Sequence, residues 1–197
     1  MKRFLLLLLA LSLAAPAAAA EALESLRCTL VSVAGEGEGI AAEVWARDDA
    51  VRSEVTTDTR KVVSIQRGSV LFTWAVGEET GERRLLGGGL AGRGLIRQIA
   101  EVREQGEHGG TATVEGVDYD VYILDRYPGE KSLVYLSRET SLPGMWVNVQ
   151  EQGGERSEVR MYFRDAASSD RPCNAANVEL EDALFRIPTG IRFQMDE

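Results

Sequence analysis

Few residues in this chain have the type and spacing to do chemistry. His108 is the only histidine, set in Glu107-His108-Gly109-Gly110, which reads as an exposed turn. A zinc site needs several His, Cys or carboxylate ligands at set spacings. A Ser–His–Asp relay would want a nucleophile context such as G-x-S-x-G, which the chain lacks. Glu78, Glu79, Asp118, Asp120, Asp125 and Glu151 are scattered over turns and solvent-facing positions without calcium-loop spacing. No pair of them stands out as general acid and base. No catalytic residue, metal or cofactor is therefore assigned. Residues 87–92 match G-x-G-x-x-G, but a dinucleotide fingerprint also needs a buried parallel strand before it and an acidic residue well after it. Its neighbours here are antiparallel hairpins, so the glycine run reads as a hinge beside an apolar helix.

Residues 1–20 open with Lys2 and Arg3, continue in an apolar stretch and end in alanines, the pattern of a secretory signal peptide cut after Ala20. The expected product is an exported domain spanning residues 21–197, placed in the periplasm. Without Lys2 and Arg3, the 22 basic and 31 acidic residues of the full chain shift the net charge from -9 to about -11. Such acidity favours solubility and repels a phosphate backbone, so nucleic acid is excluded as a partner. Cys28 and Cys173 are the two cysteines. An even count in an oxidising compartment favours a bridge between them over two separate buried thiols.

The elements that must position these residues are mostly strands. Period-two alternation marks residues 26–33, 40–47, 51–57, 61–66, 69–76, 117–125, 131–137, 145–150 and 155–164, joined by short polar turns. A short last strand is expected near 177–180. One segment breaks the rhythm. Within residues 85–105, Leu95, Ile96, Ile99 and Val102 fall on one side of a helix, with charged residues opposite. The fold class is mainly β: an unclosed antiparallel half-barrel of about ten strands with an amphipathic lid helix.

Three stretches resemble the bacterial outer-membrane lipoprotein carrier family and its lipoprotein-sorting-like relatives. They are Glu43-Val44-Trp45-Ala46-Arg47 through Val51-Arg52-Ser53-Glu54, then residues 63–74, then Asn177-Val178 with residues 184–190 (Leu-Phe-Arg-Ile-Pro-Thr-Gly). Residues 116–122 and 141–144 fit the same pattern. The family's carriers begin with a helix before the first strand, for which residues 21–26 are too short. The resemblance implies a periplasmic half-barrel whose hydrophobic cavity, under a lid, takes acyl chains, with an arginine holding the lid closed. Arg47 lies nearest that position and Arg52 is next.

The resulting expectation is a non-catalytic protein for lipid or lipoprotein trafficking to the outer membrane. It holds an acyl chain or a lipidated protein, acts as a chaperone in transport, and hands its cargo to a membrane receptor. The lid would present Leu86, Leu90, Leu95, Ile96 and Ile99. The sheet would present Val44, Trp45, Phe72, Trp74 and Trp146. The chain is expected as a monomer. The alternative is an envelope sensor or assembly factor using the same surface on another protein. A third reading is a hydrolase built on His108 or a carboxylate pair.

Overall fold

The computed structural model describes residues 22–35, 37, 39–86, 93–127, 129–168 and 170–195. The signal segment, Leu90 and the glycine run at 87–92 lie outside them. The first half is a meander. It runs through β1 (Ser25–Ala34), β2 (Ile40–Arg47), β3 (Ala50–Thr56), β4 (Lys61–Arg67), β5 (Val70–Ala75) and β6 (Thr80–Leu85). The helix α1 (Leu95–Gln105) follows. A second meander runs through β7 (Glu107–Val114), β8 (Val117–Tyr127), β9 (Glu130–Ser137), β10 (Pro143–Gln152) and β11 (Glu155–Arg164). The tail adds β12 (Ala175–Ala176), a 3-10 turn at Asp182–Phe185 and β13 (Arg192–Met195).

These strands make one open sheet in the order β13-β6-β5-β4-β3-β2-β1-β11-β10-β9-β8-β7, with β12 beside β1. Every pairing is antiparallel except β13 on β6. The strand that comes first in sequence therefore sits at the seam, paired to β2 on one side and β11 on the other. Local chemistry sets the hairpins. Glu115 and Gly116, and likewise Gly153 and Gly154, have positive φ at the two central turn positions, the geometry that matches strand twist in two-residue hairpins. The half-barrel with one covering helix, and the Cys28–Cys173 disulfide (Cα–Cα 5.6 Å), agree with expectation.

Four readings need correction. Thirteen strands are present among the described residues. Of those not foreseen, Thr80–Leu85 and Glu107–Val114 carry Gly, Thr and charge rather than apolar alternation. The helix runs from Leu95 to Gln105 between Gly94 and Gly106 as expected, but Leu86, expected on the lid, lies outside it and bonds through its N–H to the Ser69 carbonyl at 2.8 Å. The segment at 177–180 is irregular, the short pairing with β1 being made by Ala175–Ala176 instead. His108 stands in an edge strand rather than a turn.

Two apolar clusters lie on opposite faces of the sheet. On the inner face, Ile96, Ile99 and Val102 of α1 pack on Leu26, Cys28, Ala46, Val134, Trp146 and Phe163. On the outer face of the first half, Val63, Ile65 and Trp74 lie with Phe72 beneath Ile187, Ile191 and Phe193 of the tail. Phe193 meets the Phe72 and Trp74 rings edge-on, with centroids 5.2 and 6.0 Å away. It reaches them across Gly81, where a Cβ would stand 2.8 Å from its ring.

Candidate functional site

The inner face and α1 border a cavity of about 350 Å³ that is open to solvent on one side. Its apolar wall comes from Leu30, Val44, Val51, Trp146, Met161 and Phe163 on the strands, with Leu95 on the helix. Ser53, Gln66, Gln98 and Asn148 add neutral polar groups, and no charged side chain lines it among the described residues. Strand register explains the set. Leu30 opposes Phe163, Trp146 opposes Met161, Val44 opposes Ser53, and Val51 opposes Gln66, so each pair shares the inner face. Asn148 Oδ1 accepts a hydrogen bond from the buried Ser132 hydroxyl at 2.7 Å, which fixes the amide beside Trp146.

The helix is seated firmly over this cavity. Ile99 and Val102 are fully buried, and Ile96 nearly so. At the N-terminus, Gly94 rests on the β2–β3 turn, where a Cβ would stand 2.7 Å from Asp49 Cα. The Arg93 carbonyl accepts from the Gln98 amide at 2.7 Å and the Gln66 amide at 3.4 Å. Buried Glu101 pairs with Arg93 and Arg97. At the other end, Arg103 donates to the Ser141 carbonyl, and the Gly106 N–H closes the helix on the Val102 carbonyl.

Of the expected ligand-contacting residues, Val44, Leu95 and Trp146 meet at this cavity. Ile96 and Ile99 are core under the helix instead of cavity wall, and Leu86 sits beside β5. Trp45, Phe72 and Trp74 are on the other face. Trp45 opposes Arg27 and Arg52 and lies under the Arg27 guanidinium, 5.8 Å from the ring centroid. Phe72 and Trp74 pack under the tail. Alternation gives two faces and does not say which one meets the helix, so the outward placement of these three was not legible in the sequence.

The arginines expected as a lid latch fasten a different element. Arg47 donates to the Leu180 carbonyl at 3.0 Å and to Asp182 at 2.8 Å, and its guanidinium covers the Phe185 ring at 5.2 Å. Arg52 donates to the Leu184 carbonyl at 2.8 Å, and Arg67 to the Phe185 carbonyl at 2.8 Å. All three point outward from alternate positions and clamp the tail's main chain, leaving Phe185 almost wholly buried. Glu54 orients Arg52 and also binds Lys61. Burial pushes the Glu54 carboxyl up, but hydrogen bonds from Lys61 and Arg52 and their charges outweigh it, holding the group below its usual 4.5. His108 stands 3.7 Å from Asp120 and edge-on to Tyr122, half-exposed and away from the cavity.

The residues missed were the apolar Leu30, Val51, Met161 and Phe163 and the four polar cavity members. Ser53, Gln98 and Asn148 each interrupt an apolar stripe at a position sharing its face, the one signal the sequence carries for them, whereas Gln66 continues a polar stripe after Ser64.

The fold is thus an open antiparallel half-barrel with a helix laid over its inner face. No protein-family model and no curated protein matches the chain. Several solved structures are similar to it. The MucA/MucB complex of Pseudomonas aeruginosa is 14% identical over 88% of this chain, with a TM-score of 0.41. A LolA-superfamily protein of Nitrosomonas europaea is 12% identical over 84% of this chain and 90% of its own, with a TM-score of 0.36. An outer-membrane lipoprotein-sorting protein domain from Vibrio parahaemolyticus is 10% identical over 82% and 89%, with a TM-score of 0.38. The chain spans only 55% to 60% of the length of the MucB structures it resembles.

Proposed function

We propose that this chain is a non-catalytic, exported binding protein of the periplasm that holds one acyl chain, on a lipid or a lipidated protein, beneath α1. The observation that carries the reading is the cavity of about 350 Å³ with an apolar wall and no charged lining. Its size falls within the range of about 300–1,000 Å³ usual for small-ligand sites. Each buried methylene is worth about 0.8 kcal/mol, so ten of them would contribute on the order of 8 kcal/mol before the costs of association. The neutral amides and hydroxyl suit the ester or amide that joins such a chain to its carrier. Cargo trafficking toward the outer membrane is the role this binding would serve.

The test is native mass spectrometry of the protein purified from its own envelope, beside a Leu95→Trp variant whose new ring would fill the cavity. Adducts with acyl-lipid masses on the wild type, absent from a variant with the same unfolding midpoint, support the reading. A bare wild type that takes up no added fluorescent fatty acid defeats it.

A second reading is favoured by the four polar lining residues, which could equally bond the main chain of a partner's extended segment. On that reading the protein is an envelope sensor or assembly factor. An apolar peptide would then perturb Trp146 fluorescence where acyl chains leave it unchanged.

A further inference from the structure

The second half of the sheet has an outer face that no other described element covers, on which Val121, Ile123, Leu133, Tyr135 and Met145 are partly exposed and Tyr119, Val147 and Val149 are buried. Antiparallel strands with one wet face alternate apolar and polar residues, yet β8 carries four apolar residues in a row at Val121–Leu124, and β9 four at Leu133–Leu136. Tyr122, Leu124, Val134 and Leu136 belong with the inner cluster beneath α1. Their neighbours therefore face outward. Register joins Val121 to Tyr135, Ile123 to Leu133, Tyr135 to Met145, and Leu133 to Val147 on that outer side. No described segment crosses it: α1 lies on the inner face, and the tail runs over the outer face of the first half to β6.

We infer that this outer face is a homodimer interface, packed sheet against sheet on a second copy of the same chain. Three features favour that occupant. The first is area. Five strands spaced about 4.8 Å apart and about eight residues long at roughly 3.4 Å each present a footprint of about 650 Å². That is close to the roughly 800 Å² per partner of a standard interface. The second is composition, since Tyr, Met and Arg are the residues enriched in interface cores, and Tyr135, Tyr162, Met145 and Arg160 stand here together.

The third is charge. The whole chain carries a net charge of -9, which repels a copy of itself. Along this face the charges are already in opposite-sign pairs. Arg164 forks onto Glu115, Arg156 and Arg160 flank Glu158, and Lys131 stands 3.7 Å from Asp125. A two-fold axis presents the same balanced rim on both copies, so the acidic chain approaches its twin where repulsion is least. Tyr119 meets Tyr135 edge-on at 6.3 Å, which stiffens the surface before it is covered. The proposed dimer departs from the monomer expected from the sequence.

The experiment is light scattering coupled to size-exclusion chromatography on the full chain across a dilution series, with Ile123→Lys and Leu133→Lys as separate variants. Both residues are partly exposed, so a lysine can reach water in the isolated chain. Expected is a wild type at twice the chain mass, and variants with native melting curves whose dimer dissociation constant rises at least tenfold. A wild type that stays monomeric at about 100 µM overturns the inference, as does a dimer indifferent to both substitutions. Carbodiimide crosslinking of an equal mixture of unlabelled and ¹⁵N-labelled wild type decides the matter should either variant misfold. Mixed-isotope links from Lys131 to the carboxylates of this face are expected, and a dimer without them overturns the inference.

Discussion

The apolar clusters at the two ends of the sheet lie on opposite faces, outward on β4–β5 and inward on β9–β11, with β1 and β2 adding Leu26, Cys28 and Ala46 to the inner one. In β1–β6 the large aromatics Trp45, Phe72 and Trp74 point outward, and the tail closes over them through Phe185, Ile187, Ile191 and Phe193. In β7–β11 the large residues Trp146 and Phe163 point inward and α1 closes over them. The inner face of the first half keeps Ser53, Ser64, Gln66 and Thr73, side chains at ease with water. An open sheet therefore needs a separate cover for each apolar patch. Where the inner lining passes from apolar to polar, around β1, β3 and β10, neither cover fills the space completely. The cavity lies at that seam.

This contrast can be broken from the tail side or from the helix side. The largest effect should follow Phe185→Ala, which empties a fully buried aromatic site at a cost of about 3–5 kcal/mol in urea unfolding. Acyl uptake by the folded fraction should be unchanged, and a loss of uptake would mean that the two covers are coupled. Replacing Cys28 and Cys173 together by Ser should cost about 2–5 kcal/mol and make the segment between Asp165 and β13 the first site of limited proteolysis. Gly94→Ala should cost about 1–3 kcal/mol, because its Cβ has no room against the β2–β3 turn. It should weaken uptake while leaving proteolysis of the tail as in the wild type.

The smallest effect should come from acid. The Glu54 carboxyl is held below 4.5, so its contribution is complete above that pH and is lost as pH falls through the lower folded value. Glu54→Gln should therefore flatten the acid limb of the stability curve below pH 4.5. An unchanged limb would show that Arg52 holds the tail without help from its carboxylate.

Much of this sheet was readable from alternation. Ile40–Arg47 and Glu155–Arg164 begin and end where period two begins and ends. β6 and β7 escaped because their sequences, Thr-Gly-Glu-Arg-Arg-Leu and Glu-His-Gly-Gly-Thr-Ala-Thr-Val, carry little apolar pattern. Pairing with neighbours holds them in place. Of the site, only Val44, Leu95 and Trp146 were foreseen. A period of two tells which residues share a face, but the choice between faces belongs to the covers, and those arrive from distant sequence. Arg47 and Arg52 show the same limit, since carbonyls near residues 180–184 leave no mark on the residues that bind them.

Among the described strands β1 is the first in sequence, yet it lies near the middle of the sheet. Its β2 ladder can form at once, but its other edge must wait for β11, and Cys28 must wait 145 residues for its partner. Until then a row of unpaired main-chain groups stands open to any passing strand. Pairings this distant in sequence are slow to form. The half-finished molecule therefore spends its longest interval with its future centre acting as an edge. Shielding of β1 during that interval bears directly on how much of the chain reaches the folded state.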